Sequence, residues 1–138
     1  MKTSSIIVAE KDYEVLTSLA KNHQSVDPMV IKCREKLSAE LKVADIRKEE
    51  DMPKDIVRLG SVVTVFTSFG RKVGLKIVMP AFADFQNRKL SIMAPMGTAL
   101  IGYREGDKVL WHFPKGDEWI TIESVDNTEL ELIDQEEI

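Results

Sequence analysis

The sequence predicts an α+β protein in which an antiparallel helical hairpin precedes a mostly antiparallel β-sheet carrying one helix. Two observations carry that reading. Apolar residues recur at spacings of three and four as far as residue 44, and after Pro53 the period changes to β-branched segments separated by glycine-bearing or polar turns. The chain has 138 residues, 43% hydrophobic and 30% charged. That is enough to bury one modest core with an appendage.

The first helix is expected to start at Asp12 as its N-cap. Val15, Leu16, Leu19 and Ala20 then fall at helical spacing until the polar run 21–25. Asp27-Pro28 is a cap followed by proline at the first helical position, and Val30, Cys33, Leu37, Leu41 and Ala44 continue the stripe of a longer second helix. With few residues between them, the two should fold back and bury their stripes together, as a short coiled coil does. The charged run 47–51 ahead of Pro53 ends the pattern and divides the chain into a helical module, 1–52, and a β module, 53–138. Strands are expected at 61–67, 73–79, 90–93, 108–113 and 119–125. One helix interrupts them, opened by Pro95, presenting Met96, Ala99 and Leu100 to one face of the sheet, and stopped by Gly102.

Charge and composition narrow the function classes. The formal net charge is −4, yet the stretch from Glu123 onward holds seven acidic residues and no basic one, so residues 1–122 carry +3. An acidic tail argues against tight, sequence-independent binding to bare nucleic acid, and no base-reading motif is present. The single cysteine, Cys33, cannot form an internal disulfide, and no apolar run reaches the roughly 20 residues a spanning helix needs. A cytoplasmic protein without a membrane segment is the simplest expectation.

Catalytic and metal chemistry find little support in the residues. His23 and His112 are the only histidines, and neither they nor Cys33 fall at metal-ligand spacing. Cys33 lies on an apolar stripe, which suits a small buried side chain better than a nucleophile. Gly97 and Gly102 form no phosphate-cradling loop. Trp111, Phe113 and Trp119 flank a turn and read as core and cross-strand packing rather than as a stacking surface for bases. The expectation is therefore no enzyme, no cofactor and no metal.

Several short motifs occur together in a distinctive order: Pro53-x-Asp-Ile-Val57, Gly60-Ser-Val-Val-Thr-Val65, Ala83-Asp-Phe85, Ala94-Pro-Met-Gly-Thr-Ala-Leu-Ile-Gly102, Gly106-Asp107 and Pro114-Lys-Gly116. Jointly they resemble the β module of the Gre transcription elongation factors and of their shorter-hairpin relatives, the regulators of nucleoside diphosphate kinase. The resemblance implies an FK506-binding-protein-like fold and a bacterial transcription regulator that docks on RNA polymerase at the rim of the secondary channel. It assigns the docking surface to Asp84 and to Met93, Ala94, Pro95, Met96 and Gly97, with Ala94 standing where cleavage factors commonly carry serine. Cleavage factors of this kind carry two acidic residues at the tip of a long hairpin. Here the hairpin is short and its tip offers Asp27 alone, so binding without stimulated transcript cleavage is expected. A cleavage factor with a reduced tip and a peptidyl-prolyl isomerase remain the alternatives, the latter needing a ring of aromatics from Phe66, Phe85, Tyr103 and Trp111. Target genes, oligomeric state and any link to the kinase stay open.

Overall fold

A computed structural model describes residues 6–113, 116–128 and 130. The chain opens with a short strand, β1 (Ile7–Ala9), followed by two helices, α1 (Glu10–Asn22) and α2 (Pro28–Lys42), and a second short strand, β2 (Asp45–Arg47). The β-branched half forms β3 (Val62–Thr67), β4 (Gly70–Val78) and β5 (Lys89–Ser91), then α3 (Pro95–Leu100), β6 (Lys108–Phe113) and β7 (Gly116–Asp126). α1 and α2 precede a mostly antiparallel main sheet that is interrupted only by the short α3, which makes the protein α+β.

Local chemistry explains the helix ends, with one correction. Asp27 caps α2, its carboxylate accepting a hydrogen bond from the Met29 amide at 2.9 Å, and Pro28 takes the first helical position. Asp12 does not cap α1. The helix begins at Glu10 behind Ala9, and Asp12 sits in its first turn, where its carboxylate is drawn to Arg58 instead. At the other end of α1, Arg34 reaches across from α2 to donate to the carbonyls of Ala20 and Lys21 at 3.1 and 3.3 Å, satisfying acceptors that a helix end leaves open.

The main sheet has the order β5-β4-β3-β7-β6. It is antiparallel except at its edge, where β5 runs parallel to β4, with Lys76, Ile77 and Val78 opposite Lys89, Leu90 and Ser91. The expected strands are present. β1 and β2 are absent from the sequence reading. They pair in parallel, Ile7 to Asp45 and Ala9 to Arg47, and thereby clamp the two ends of the helix pair together.

One buried cluster runs through the whole fold. It joins Leu16 of α1 and Cys33, Leu37 and Leu41 of α2 to Val63, Ile77, Ile120 and Ile122 of the sheet and to Leu100 of α3. The change at Pro53 is therefore one of secondary-structure type, and the core passes across it. Alternation along the strands fixes which side chains point inward: Val63, Val65 and Thr67 of β3 are buried while Phe66 between them is exposed. α3 does not lie simply across the sheet, because it is packed between α2 and β6. Of the aromatics expected inside, Trp111 is buried, but Trp119 is 55% exposed on the outer face; the Phe113 side chain lies outside the described residues.

Candidate functional site

The residues that the sequence singles out lie at the two ends of the edge strand β5. At its start, Asp84 forms an antiparallel bridge with Lys89, its amide donating to the Lys89 carbonyl at 3.0 Å and its own carbonyl accepting from the Lys89 amide at 2.9 Å. The Asp84 carboxylate accepts from the Asn87 side-chain amide at 2.6 Å, closing a tight turn. Arg88 completes that turn in a left-handed conformation, φ 60°, and donates to the Val73 carbonyl at 3.0 Å. The turn presents Phe82 and Phe85 on either side of Asp84, and these rings are 68% and 74% exposed.

Two phenylalanines this open, adjoining a carboxylate in one short turn, offer apolar area and a charge close together in the chain, a common composition for a protein-binding surface. Reading the sequence for motifs singled out Asp84 and missed Phe82 as a surface residue. The signal was present in Pro80-Ala-Phe-Ala-Asp-Phe85, where proline and alanines leave the rings no strand to pack in.

At the far end of β5, the segment Met93–Gly97 divides by burial. Ala94, Pro95 and Met96 are half-buried and reachable, whereas Met93 and Gly97 are buried. Gly97 is required by close approach: a Cβ there would lie 2.2 Å from the Ser91 carbonyl oxygen and 3.1 Å from the Ile92 Cα. Thr98 reinforces the same contact by donating to the Ile92 carbonyl at 2.6 Å. Met93 and Gly97 thus frame the segment from within, and the surface it offers is Ala94-Pro95-Met96. Three residues of strand separate the two ends, on the order of 10 Å, so a single partner segment could span both.

The helix pair is tied to the sheet by charge. Arg58, with a side chain only 8% exposed, donates to Asp12 at 2.9 Å and to both oxygens of Glu49 at 2.8 and 2.7 Å. Burial holds the Asp12 carboxyl above the usual carboxylate range despite the facing guanidinium. For Arg58, burial alone would favour deprotonation, but the hydrogen bonds it donates to Glu49 and the charge of Asp12 outweigh it and hold the guanidinium charged. On the other side of the pair, Tyr103 donates to Glu40 at 2.8 Å, and the Lys36 ammonium, which bridges to Glu40 at 2.8 Å, stands 5.2 Å from the centre of the Trp111 ring. Burial first, and then Glu40, push the Tyr103 hydroxyl well above its ordinary pKa.

The remaining candidates separate cleanly. Asp27, at the helix turn, is occupied as a cap, and among the described residues no group of three or more His, Cys, Asp or Glu side chains is placed to hold a metal ion. Cys33 is fully buried, and burial raises its thiol pKa, which keeps it protonated. His23 lies in the turn after α1, and the His112 side chain lies outside the described residues. Tyr103 and Trp111 both stand by Lys36, but Phe66 is exposed on the face of the sheet opposite Trp111 and Phe85 is exposed in the turn before β5, so the four rings do not share one face. Among the described residues no helix is long and apolar enough to cross a membrane.

Comparison with known proteins agrees with this geometry. Residues 52–127 match the family described as "Transcription elongation factor, GreA/GreB, C-term". A regulator of nucleoside diphosphate kinase from Escherichia coli (strain K12) is 40% identical over 81 residues, covering 58% of this chain and 60% of that protein. A transcription elongation factor GreA from Clostridium botulinum (strain Hall) is 39% identical over 99 residues, covering 70% of this chain and 59% of the relative. The chain thus matches about three fifths of the length of these relatives. Among solved structures, a prokaryotic transcription elongation factor GreA/GreB from Nitrosomonas europaea superposes with a TM-score of 0.71 at 29% identity, covering 90% of this chain and 99% of that one.

Proposed function

Because the chain belongs to the GreA/GreB family of transcription elongation factors, whose C-terminal module it carries, we propose that it binds RNA polymerase at the rim of the secondary channel without stimulating transcript cleavage. The observation that carries this reading is the exposed turn at the start of β5, where Asp84 lies in sequence between the open rings of Phe82 and Phe85. Ala94, Pro95 and Met96 extend the contact along the same edge. The rings supply apolar area, and the carboxylate supplies register against a basic partner. A cytoplasmic location follows from that partner.

Two features support binding without cleavage. Helices of 13 and 15 residues span only about 20 and 22 Å at 1.5 Å per residue, and their flanks are bound to the body through Arg58 and Tyr103. The turn between them offers one carboxylate, Asp27, already engaged by the Met29 amide. A divalent ion of the magnesium type needs further oxygen ligands in octahedral array.

The test is binding of the purified chain to core polymerase, with Asp84→Lys as the contrast. The wild-type chain is expected to bind and to displace a cleavage factor. The charge reversal should weaken association by about 1–3 kcal/mol while lowering the melting temperature only slightly, through loss of the exposed hydrogen bond from Asn87. Absence of binding at low salt would sink the reading. Shortening of RNA in a backtracked complex that depends on Asp27 would instead identify a cleavage factor.

A further inference from the structure

A groove opens at the β5 edge of the sheet. Leu59, Val78, Met79 and Phe82 give it an apolar lining, Lys76 and Lys89 are its charged residues, and no carboxylate lines it. Two acids stand close by register, Asp84 opposite Lys89, and Asp126 in the row of Lys76 with Val62 between them. The Asp84 carboxylate accepts from the Asn87 side-chain amide and that of Asp126 from the Thr128 amide. One end of the groove is Gly60, whose amide donates to the Ile77 carbonyl at 2.7 Å. Leu130 rests on that glycine, since a Cβ there would come within 2.6 Å of the Leu130 Cδ2. Asn127 holds this part of the chain in place. It is buried, its side-chain amide donates to the Lys54 and Ile56 carbonyls at 2.9 Å each, and its own carbonyl accepts from the Leu130 amide at 3.1 Å. The chain is thus fixed at the mouth of the groove immediately before residues 131–138, which lie outside the described residues.

That segment, Glu131-Leu-Ile-Asp-Gln-Glu-Glu-Ile138, carries four acidic and three apolar residues and no basic one. Two depressions adjoin Leu130. The first is lined by Glu49, Glu50, Lys54 and Arg58, and Arg58 is held by Glu49 and Asp12, so its charges offer an acidic segment no net attraction. The second is the groove toward β5, where two lysines accompany apolar surface and Lys89 is exposed. An acidic and apolar segment matches the second in both respects. Two strand spacings, roughly 10 Å, separate Gly60 from β5. Residues 131–138 cover roughly 12 Å as helix and roughly 26 Å when extended, so either form reaches. Tethering at Leu130 also gives the segment an effective concentration on the order of millimolar, at which a modest affinity fills the groove. We propose that residues 131–138 seat in this groove, with their carboxylates toward Lys89 and Lys76 and their apolar side chains on Val78, Met79 and Phe82. Phe82 belongs to the Asp84 turn as well, so the seated segment screens part of the polymerase contact. That consequence rests on the docking reading above, whereas the seating does not.

A nitroxide label on the full chain tests the seating. Gln135→Cys supplies the attachment point, and Cys33, the only native cysteine, is fully buried and stays unlabelled. Paramagnetic broadening in the amide spectrum is expected at Val78, Phe82 and Lys89 and not at Met52 and Lys54, which lie on the other side of Leu130. Lys89→Glu should remove that asymmetry, as should raised salt, because exposed charges are screened. The same spectrum shows whether the variant is folded. Equal broadening on both sides of Leu130, or an asymmetry that Lys89→Glu leaves intact, would overturn the proposal. The combined variant Asp134→Asn, Glu136→Gln and Glu137→Gln should also lose the asymmetry and bind core polymerase about three- to tenfold more tightly than wild type. Confined broadening together with unchanged polymerase affinity in that variant would overturn the screening. Confined broadening in a chain that binds no polymerase would instead count against the docking reading and leave the seating in place.

Discussion

Arg58 joins three parts of the chain that are distant in sequence, and its removal tests the value of that junction. Arg58→Ala leaves Asp12 and Glu49 facing each other without a counter-charge in a partly buried site. It should cost about 3 kcal/mol in urea denaturation, near the lower end for a broken buried pair because Glu49 keeps some solvent. Asp12→Asn should cost much less, since it also removes the desolvation of a carboxylate. The pH dependence follows from the direction of the Asp12 shift. A carboxyl whose folded pKa is raised binds its proton more tightly in the native state, so its contribution is greatest in acid and falls as pH rises through the folded value. The stability of wild type relative to Asp12→Asn should therefore decline over the interval in which pH rises above the ordinary carboxylate range, from about pH 4 upward. A difference that grows over that interval would contradict the assignment. The sequence marked Asp12 for its helix-capping chemistry. Only the fold supplied the guanidinium that redirected it.

At the scale of elements, α3 is the most constrained piece. Ala94 occupies its N-cap position with no side-chain hydrogen bond to the first turn, so Ala94→Ser should stabilise the protein by about 1 kcal/mol through a new cap. Thermal unfolding measures this. Gly97→Ala meets backbone atoms, which cannot swing aside as a side chain can, and should cost more than about 2 kcal/mol. Asp27→Ala, losing the cap of α2, should cost about 1 kcal/mol. The helices and five main strands were legible because each has its own periodicity and turn chemistry. β1 and β2 were not, because three-residue strands carry no period, and their parallel pairing joins positions nearly forty residues apart. Trp119 was misplaced for a related reason. Alternation predicts two faces for a strand, but the sequence does not say which face the rest of the protein will cover.

For the whole molecule, the continuous core predicts cooperative unfolding. Tryptophan emission, which follows the sheet, and far-ultraviolet circular dichroism, which is dominated by the helices, should give coincident urea transitions. Leu37→Ala, in a helix but fully buried against the common core, should move both midpoints together with a loss of about 2–5 kcal/mol. Separate transitions would show that the helical part and the sheet fold independently. The amino-acid order by itself determined the two kinds of secondary structure, the capped start of α2, the α3 turn, and the motifs that carry the family resemblance, because each rests on interactions within a few residues. Tertiary structure alone decided that Asp12 serves an ion pair, that Met93 and Gly97 are internal, and that Phe66 and Trp119 face water. Burial and charge pairing depend on segments that meet only when the chain closes on its core, and local pattern holds no record of which segments those are.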